Sequence, residues 1–311
     1  MEENKKTNKN LKIIIPIIAV VIIGIIVGVL FLNKEEGYRS IQVYQVTGEV
    51  ILERENIGSM DAYENLNLIS GDALETFLES FLRLKLDEDK YVLVEQESQI
   101  EVFATGNSEK SRTDIKLEKG AITVEVENKL GDESSFEVTT PNSVMAVRGT
   151  VFRITADVDE NGVPITRITI FEGAVTVQKK SEDGTLSEET LIESGKEAII
   201  YQEEGQEVLE ILDEIDESRI PLEVLQFIKD TVIEDGREII YSEEKVIELI
   251  DKLQNPVYTV TFMYNESVFG TQQVRNGELV NEPVLKPSPT GSWDYDFSKP
   301  IADDTIIHYV N

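Results

Sequence analysis

The sequence predicts a mainly β protein with a helical insert, attached to a membrane near its N-terminus. Three observations support this prediction. An uncharged run occupies 13–32, short apolar alternations punctuated by glycine fill 38–202, and apolar residues take up helical spacing from Glu203. Alternation with a period of two is typical of strands, whereas apolar residues at i, i+3, i+4 and i+7 indicate amphipathic helices. The β region is therefore expected to form a sandwich or a solenoid-like stack.

The first element is a predicted transmembrane helix over 13–32, which reads IIIPIIAVVIIGIIVGVLFL. Twenty residues at about 1.5 Å each span roughly the 30 Å hydrocarbon core of a bilayer. No small-x-small cleavage site follows the run, so we expect an uncleaved anchor rather than a signal peptide. The bilayer is thus one predicted partner.

Charge predicts the orientation of this helix. Four lysines precede the span, namely Lys5, Lys6, Lys9 and Lys12, whereas the chain beyond it is strongly acidic. Because Lys and Arg favour the cytoplasmic side, residues 1–12 are predicted to be a cytoplasmic tail and the bulk of the chain to lie outside.

Within the span, Gly24 and Gly28 have the small-xxx-small spacing that lets two membrane helices approach closely. This spacing makes a homodimer one possibility. The alternative is that the two glycines have no such role, because glycine is common in membrane spans.

A β domain is predicted over 38–202. Its glycines suggest an internal echo, because Lys119-Gly-Ala-Ile-Thr-Val124 recurs as Glu172-Gly-Ala-Val-Thr-Val177, with a weaker copy at Thr47–Val50. Each of these glycines is expected to open a strand with a turn or bulge. The predicted strands are 40–52, 81–86, 91–95, 99–103, 121–126, 136–139, 151–158, 165–171, 174–178 and 197–201.

An acidic helical module is predicted over 203–256. The first helix is expected over Glu203–Glu217, where the apolar residues have helical spacing and the rest are mostly acidic. Pro221 suits the start of a second helix, and Ser242 can cap a third. The acidic run is read as a solvated helix face, with cation binding as the alternative.

Residues 257–311 return to alternation and are predicted to form a compact second β module. His308 lies in its last strand and is expected to be a structural or surface residue. Trp293 is interpreted as core filling, with a platform for a sugar as the alternative.

Composition excludes several classes of function. The chain has 311 residues, with 29 Lys and Arg against 60 Asp and Glu, giving a formal net charge of −31. No nucleic acid is expected as a partner, because affinity for phosphate backbones comes mostly from Lys and Arg. The sequence has no cysteine and a single histidine, which leaves no thiolate metal site and no Ser-His nucleophile. We therefore expect no enzymatic activity, cofactor or metal.

One motif bears on metal binding. Asp157, Asp159 and Asn161, followed by Gly162, match the opening of a calcium-binding loop, but Ile168 stands where the closing glutamate belongs. Asn161-Gly162 between two alternating segments is also a strong hairpin signal. A hairpin is the favoured interpretation and a calcium site the alternative.

Residues Thr140–Ile154 read TPNSVMAVRGTVFRI. This segment resembles the signature of the FecR domain, in which a Thr-Pro pair is followed by Val-Arg-Gly-Thr-x-Phe. Members of that family include single-pass proteins whose outer part relays a transporter's occupancy to a cytoplasmic anti-sigma segment. The resemblance, over about 42–201, implies an outer recognition domain. Other landmarks follow in order: Thr47-Gly48, Leu68, Gly71-Asp72, Thr76, Ser80, Gly120, Glu172-Gly173 and Gly195.

Within this signature, Arg148 is the candidate recognition residue. Its guanidinium can meet an anionic group on a partner or pair with a nearby carboxylate of the same chain.

The C-terminal module has a second resemblance, carried by Tyr258–Asn265, Gly270–Val274, Gly291–Phe297 and Asp304–Ile307. These segments are similar to the Listeria-Bacteroides repeat of internalin-type surface proteins, which implies a small β-grasp-like unit. Both resemblances imply a bacterial envelope protein located in the cell membrane.

These expectations give one main functional hypothesis and two alternatives. The main hypothesis is a non-enzymatic membrane protein whose outer domain binds another envelope protein or a ligand, for surface recognition or scaffolding. The first alternative is a transmembrane signalling or regulatory subunit related to FecR-type sigma regulators. The second is a carboxylate-based hydrolase acting on wall glycans.

Overall fold

The computed structural model describes residues 41–106, 110–127, 130–131, 133–147, 149–234, 236–237 and 239–310. The predicted tail 1–12, the predicted transmembrane helix 13–32 and its glycines Gly24 and Gly28 lie outside these ranges. Within them, no helix is both long and apolar enough to cross a bilayer.

The described part of the chain is mainly β, as predicted. The strands of the large domain are β1 Ile41–Thr47, β2 Val50–Arg54, β3 Gly58–Asp61, β4 Asn67–Leu68, β5 Asp72–Thr76, β6 Phe81–Leu86, β7 Lys90–Val94, β8 Gln99–Gly106, β9 Ser111–Val126, β10 Ser135–Thr139, β11 Ser143–Val147, β12 Val151–Val158, β13 Pro164–Glu172, β14 Ala174–Lys179, β15 Thr190–Glu193, β16 Glu197–Glu203 and β17 Gln206–Leu212.

These strands form two sheets that share β9. Sheet A has the order β4-β1-β6-β7-β9-β12-β13-β16-β17. Sheet B has the order β3-β2-β5-β8-β9-β10-β11-β14-β15. Only the β9–β10 pair is parallel among these. β9 pairs with β8 as far as Lys119 and with β12 from Gly120 onward, so it passes from sheet B to sheet A.

The two sheets pack face to face around one hydrophobic core. Alternate residues of both sheets meet in it, such as Val92 and Ile154 from sheet A and Val102 and Val177 from sheet B. Burial of such side chains is the main stabilising term of a sandwich. The predicted β domain is therefore a sandwich.

The glycines of the internal repeat lie at the corners where the chain passes from one sheet to the other. Gly48, Gly120 and Gly173 have φ of 73°, 87° and 74°, a region that side chains with a Cβ rarely adopt. A Cβ on Gly120 would lie 2.5 Å from a backbone Cα at the neighbouring corner, and one on Gly173 would lie 2.5 Å from a backbone oxygen. The prediction that these glycines open strands is confirmed. The residues that pack against the three corners are Ser80, Ser98 and Thr150.

The predicted helix over Glu203–Glu217 is wrong, because its central part is strand β17. Glu204 and Gly205 both have positive φ, 50° and 78°, so they form a tight turn that joins β16 to β17 as a hairpin. Pairing with β16 and packing of Leu209 on the core outweigh the helical spacing. Glu207 and Glu210 thus lie on an edge strand, and Asp213, Glu214, Asp216 and Glu217 follow it.

The other two predicted helices are confirmed. A short 3-10 turn at Glu217–Arg219 precedes α1, Leu222–Ile228, which continues as a π-helical turn through Ile233. α2, Glu243–Gln254, begins at the predicted cap, where the Ser242 hydroxyl accepts a hydrogen bond from the Lys245 amide.

This helical segment, 217–254, covers the outer face of sheet A. Phe227 and Ile228 from α1 and Leu249 from α2 pack against Leu93 and Phe171 of the sheet. The segment is also held by charge, since Arg83 pairs with Asp230 at 2.8 Å and Arg237 pairs with Glu125 and Glu172.

The C-terminal module is a separate sheet of four strands in the order β19-β18-β21-β20 among the described residues. They are β18 Val257–Tyr264, β19 Ser267–Arg275, β20 Ser292–Trp293 and β21 Thr305–Val310. Its first and last strands, β18 and β21, are parallel, and no helix occurs in the described connection 276–291. Trp293 is 5% exposed and packs on Phe262 and Tyr309, so its predicted role in the core is confirmed.

Candidate functional site

The outer face of sheet B is the candidate site, because the other faces of the sandwich are occupied. The two inner faces form the core, and the helical segment covers sheet A. We call the outer face of sheet B the open face, since none of the described elements forms a hydrophobic cluster on it. Its half-buried or exposed side chains are Ile51, Glu53, Ala73, Glu75, Gln99, Glu101, Phe103, Thr105, Arg112, Asp114, Lys116, Glu118, Ser135, Glu137, Thr139, Val144, Ala146, Ala174, Thr176, Gln178, Leu191 and Glu193.

The open face contains a groove of about 680 Å³ along β8, β9 and β10. Phe103 provides an apolar wall, and the Lys116 ammonium lies over its ring, 4.3 Å from the centroid. The same lysine pairs with Glu101 at 3.1 Å. Arg112 and Glu137 complete a lining that carries both signs of charge beside an aromatic ring.

Asp114 lies in this groove in an environment that disfavours its charge. Partial burial raises the pKa of Asp114 above its ordinary value, although the Thr139 hydroxyl donates a hydrogen bond to it at 3.2 Å and Lys116 attracts it. A carboxylate kept partly dehydrated costs stability near neutral pH. Titratable groups whose pKa is shifted by burial are more frequent at functional sites than elsewhere.

A second, acidic hollow of about 330 Å³ lies on the same face, across β2, β5 and β8. The carboxylate of Glu75, in this hollow, lies 3.5 Å from the Lys119 ammonium and accepts a hydrogen bond from the Gln99 amide. The open face therefore combines mixed charges, amides and small side chains with one aromatic ring, that of Phe103. Four carboxylates line the hollow: Glu53, Glu75, Glu101 and Glu118.

Thr140 and Asn142, at the start of the signature segment, are buried and structural. The Thr140 hydroxyl lies 2.8 Å from that of Thr166, and the Asn142 amide donates to backbone oxygens of Pro164 and Ile200 at 3.0 and 3.2 Å. These bonds join the β10–β11 turn of sheet B to β13 and β16 of sheet A. Arg148, the predicted recognition residue, lies outside the described residues.

Other landmarks of the resemblance are buried structural residues as well. Asp72 is fully buried and forms a two-bond pair with Arg54, at 2.8 and 2.6 Å. The Thr76 hydroxyl donates to the Glu95 carbonyl, and the Ser80 hydroxyl accepts from the Glu49 amide. Asp72, Thr76, Ser80, Thr140 and Asn142 thus help to close the sandwich, whereas Val144 and Ala146 of the signature segment lie on the open face.

The candidate calcium residues form a hairpin turn between β12 and β13, as the favoured interpretation predicts. Val158 pairs with Pro164, and the Asp159 carboxylate accepts hydrogen bonds from the backbone amides of Asn161 and Val163, both at 2.8 Å. The Asp157 carboxylate accepts from the amide of Val158. In the described part of the chain, no three carboxylate or imidazole groups lie close enough to hold a metal.

We expect Asp159→Ala to lower the melting temperature without changing the response to calcium. Hydrogen bonds from the Val163 and Asn161 amides lower the pKa of Asp159 below the ordinary 3.8. Its ionised form therefore stabilises the fold above that pH, and this contribution is lost as the pH falls through the lowered pKa. The loss of stability caused by Asp159→Ala should be full at pH 7 and should vanish in strong acid. A thermal shift specific to calcium over magnesium, and lost in the variant, would instead establish a metal site.

His308 is exposed on β21, where it was predicted to be a structural or surface residue.

Comparison with known proteins gives one family match. No curated protein matches the chain. Two crystal structures, each of a proposed anti-sigma factor from Parabacteroides distasonis, are similar at a TM-score of 0.37. One is 11% identical and covers 77% of this chain and 98% of its own, and the other is 14% identical and covers 60% and 92%. Residues 72–176, from β5 into β14, match the model of the FecR protein family, and the match covers the centre of the sandwich.

Proposed function

We propose that this chain is a signalling or regulatory subunit of the FecR type, without enzymatic activity. The match of 72–176 to the FecR family carries the proposal. In it, the predicted helix 13–32 anchors the protein in the bacterial cell membrane, the sandwich lies outside, and the signal passes inward to a cytoplasmic partner.

We place recognition of another envelope protein on the open face. The groove supports this assignment because it offers an aromatic wall at Phe103, both signs of charge, and the half-buried carboxylate of Asp114. A partner that donates hydrogen bonds to Asp114, or brings a cation to it, would repay the cost of keeping that charge dehydrated.

Asp114→Asn tests the proposal because it is expected to leave the fold intact. Removing a dehydrated charge should raise stability at neutral pH, and the gain should shrink as the pH falls through the raised pKa of Asp114. Any loss of function then reflects recognition rather than unfolding. The matched control is Asp213→Asn, whose side chain is 91% exposed away from the open face.

The readout is the set of transcripts that changes when the gene is deleted. The wild-type chain and Asp213→Asn should restore these transcripts, whereas Asp114→Asn should not. If deletion changes no defined set of transcripts, the regulatory proposal is wrong. If Asp114→Asn restores them fully, the groove is not the recognition site.

A second candidate function is surface recognition or scaffolding. It is favoured by the C-terminal module, which has its own aromatic core around Phe262 and Trp293. We propose that 257–311 is a repeat of the Listeria-Bacteroides type, because four of its segments resemble that repeat in sequence. For a scaffold, deletion should alter the envelope while leaving transcription unchanged.

A further inference from the structure

The turn between β12 and β13 contains Asn161-Gly162, a pair that the proposed function does not use. Asparagine is most reactive when glycine follows it, because glycine has no Cβ to hinder attack by its amide nitrogen on the asparagine side chain. The chain holds one other such pair, Asn276-Gly277, directly after β19. Comparing the two pairs separates the effect of the fold from that of the local sequence.

The pair after β19 is held by distant parts of the chain. Both pairs are exposed, and their glycines have similar positive φ, 83° at Gly162 and 80° at Gly277. The Gly277 amide, however, donates to the Ile301 carbonyl, and the Asn276 amide donates to the Pro256 carbonyl, both at 2.8 Å. Ile301 is 1% exposed and belongs to the core of the C-terminal module, so releasing the Gly277 amide disturbs that core.

The hydrogen bonds of Asn161-Gly162 stay within their own turn. The Gly162 amide donates to the Asp159 carbonyl at 3.0 Å. The backbone amide and the side-chain Nδ2 of Asn161 both donate to the Asp159 carboxylate, at 2.8 and 3.3 Å. Because these bonds all end at Asp159, the tip of the turn can open while Val158 stays paired with Pro164. Such local opening of an exposed turn costs far less free energy than unfolding.

We propose that Asn161 is a site of spontaneous deamidation in the folded protein, and that Asp159 sets its rate. The Gly162 nitrogen attacks Cγ of Asn161, the bond from Cγ to Nδ2 breaks, and ammonia leaves with the proton of the Gly162 amide. Water then opens the cyclic imide at either carbonyl, which gives an aspartyl or an isoaspartyl linkage. The isoaspartyl form adds a methylene to the main chain, so the turn should lose bonds from the amides of 161 and 163 to Asp159.

Asp159 slows this reaction in two ways. Its carboxylate holds the side-chain amide of Asn161, which limits the rotation that attack requires. Its charge, with those of Asp157 and Glu160 in the same turn, also disfavours the deprotonated Gly162 amide, which is the attacking form. Removing the Asp159 carboxylate should therefore accelerate deamidation at this turn alone.

The test follows both asparagines in one sample by peptide mass spectrometry. The full-length protein is incubated in detergent at mildly alkaline pH, with and without concentrated urea. In urea, Asn161 and Asn276 should both react, which gives the rate of each in the unfolded chain. Without urea, the rate at Asn276 should fall by a far larger factor than the rate at Asn161. Equal slowing of the two asparagines by the fold, or greater slowing of Asn161, overturns the proposal.

Three variants test the mechanism without urea. Asp159→Ala should raise the rate at Asn161 several-fold. Gly162→Ala should slow it many-fold, because a Cβ on the following residue hinders attack. Ser242→Ala, the control, removes a helix cap outside this turn and should leave the rate unchanged, whereas a reaction that needs general unfolding would accelerate. No acceleration in Asp159→Ala, no slowing in Gly162→Ala, or equal acceleration in Ser242→Ala overturns the proposal.

Discussion

Gly120→Ala is expected to destabilise the sandwich by about 2–5 kcal/mol, combining the cost of positive φ with that of overpacking. At φ 87°, a new Cβ would lie 2.5 Å from the Ser98 Cα and 2.7 Å from its Cβ. Trimming the Ser98 side chain cannot relieve the first clash, because that contact is with the backbone. The Ser98 hydroxyl also accepts the amide of Ala121 at 2.9 Å, so any shift opens a buried hydrogen bond.

Gly162→Ala is the matched control. Gly162 has nearly the same φ, 83°, but nothing lies within 4 Å of its absent Cβ. Gly162→Ala should therefore destabilise the protein by about 1–2 kcal/mol, which is the cost of positive φ for a residue with a Cβ. Unfolding is followed by far-ultraviolet circular dichroism. The single tryptophan, Trp293, lies in the C-terminal module, so its fluorescence should change little. Equal losses in the two variants would show that packing at the corner is unimportant.

The sequence was informative about the corners because backbone geometry there restricts residue type. The echo Gly-Ala-x-Thr-Val marks two crossings between sheets, and only glycine combines positive φ with such close approach of a neighbouring backbone. Strands with clear alternation, such as β6 and β12, were predicted at their observed limits. Elements β3, β4, β5, β11 and β15 were missed, since they are short or interrupt the alternation with polar residues.

The position of the helical segment could not be read from helical periodicity. That pattern gives the buried face of each helix but not the surface against which it packs. One signal was present in the strands: Tyr91–Val94 and Ile168–Phe171 are apolar at nearly every position. Continuous apolar strands indicate a sheet that is covered on both faces. Sheet B strands such as Gln99–Val102 alternate strictly, which is typical of one solvated face.

The open face was missed because its residues come from strands far apart in sequence. Asp114 lies on β9 and Thr139 on β10, and the β9–β10 pairing brings them together although no local sequence pattern specifies that pairing. The resemblance directed attention to Thr140–Thr150 instead. Thr140, Asn142 and Thr150 are distinctive because burial restricts them, whereas an exposed recognition surface can vary between proteins that bind different partners.

Arg153→Ala is expected to destabilise the protein by about 3–5 kcal/mol, the usual cost of removing one partner from a buried ion pair. Arg153 on β12 makes two parallel bonds to the Glu95 carboxylate, both 2.8 Å long, and the side chains are only 12% and 4% exposed. Without the guanidinium, Glu95 keeps a single side-chain donor, the Thr123 hydroxyl at 3.2 Å. A carboxylate left buried beneath the helical segment is poorly solvated, so the folded state loses most of what stabilised its charge.

The double variant Glu95→Met/Arg153→Met separates charge burial from packing. Replacing both members of a buried pair with apolar side chains of similar size is often neutral or stabilising, so it should recover most of the loss. Arg153→Lys should be intermediate, because an ammonium cannot form both parallel bonds. The three variants are compared by thermal and urea unfolding at pH 7. If the double variant is as unstable as Arg153→Ala, the pair stabilises the sandwich through its hydrogen-bond geometry, including the 3.5 Å contact of Arg153 with the Arg219 carbonyl that reaches the helical segment.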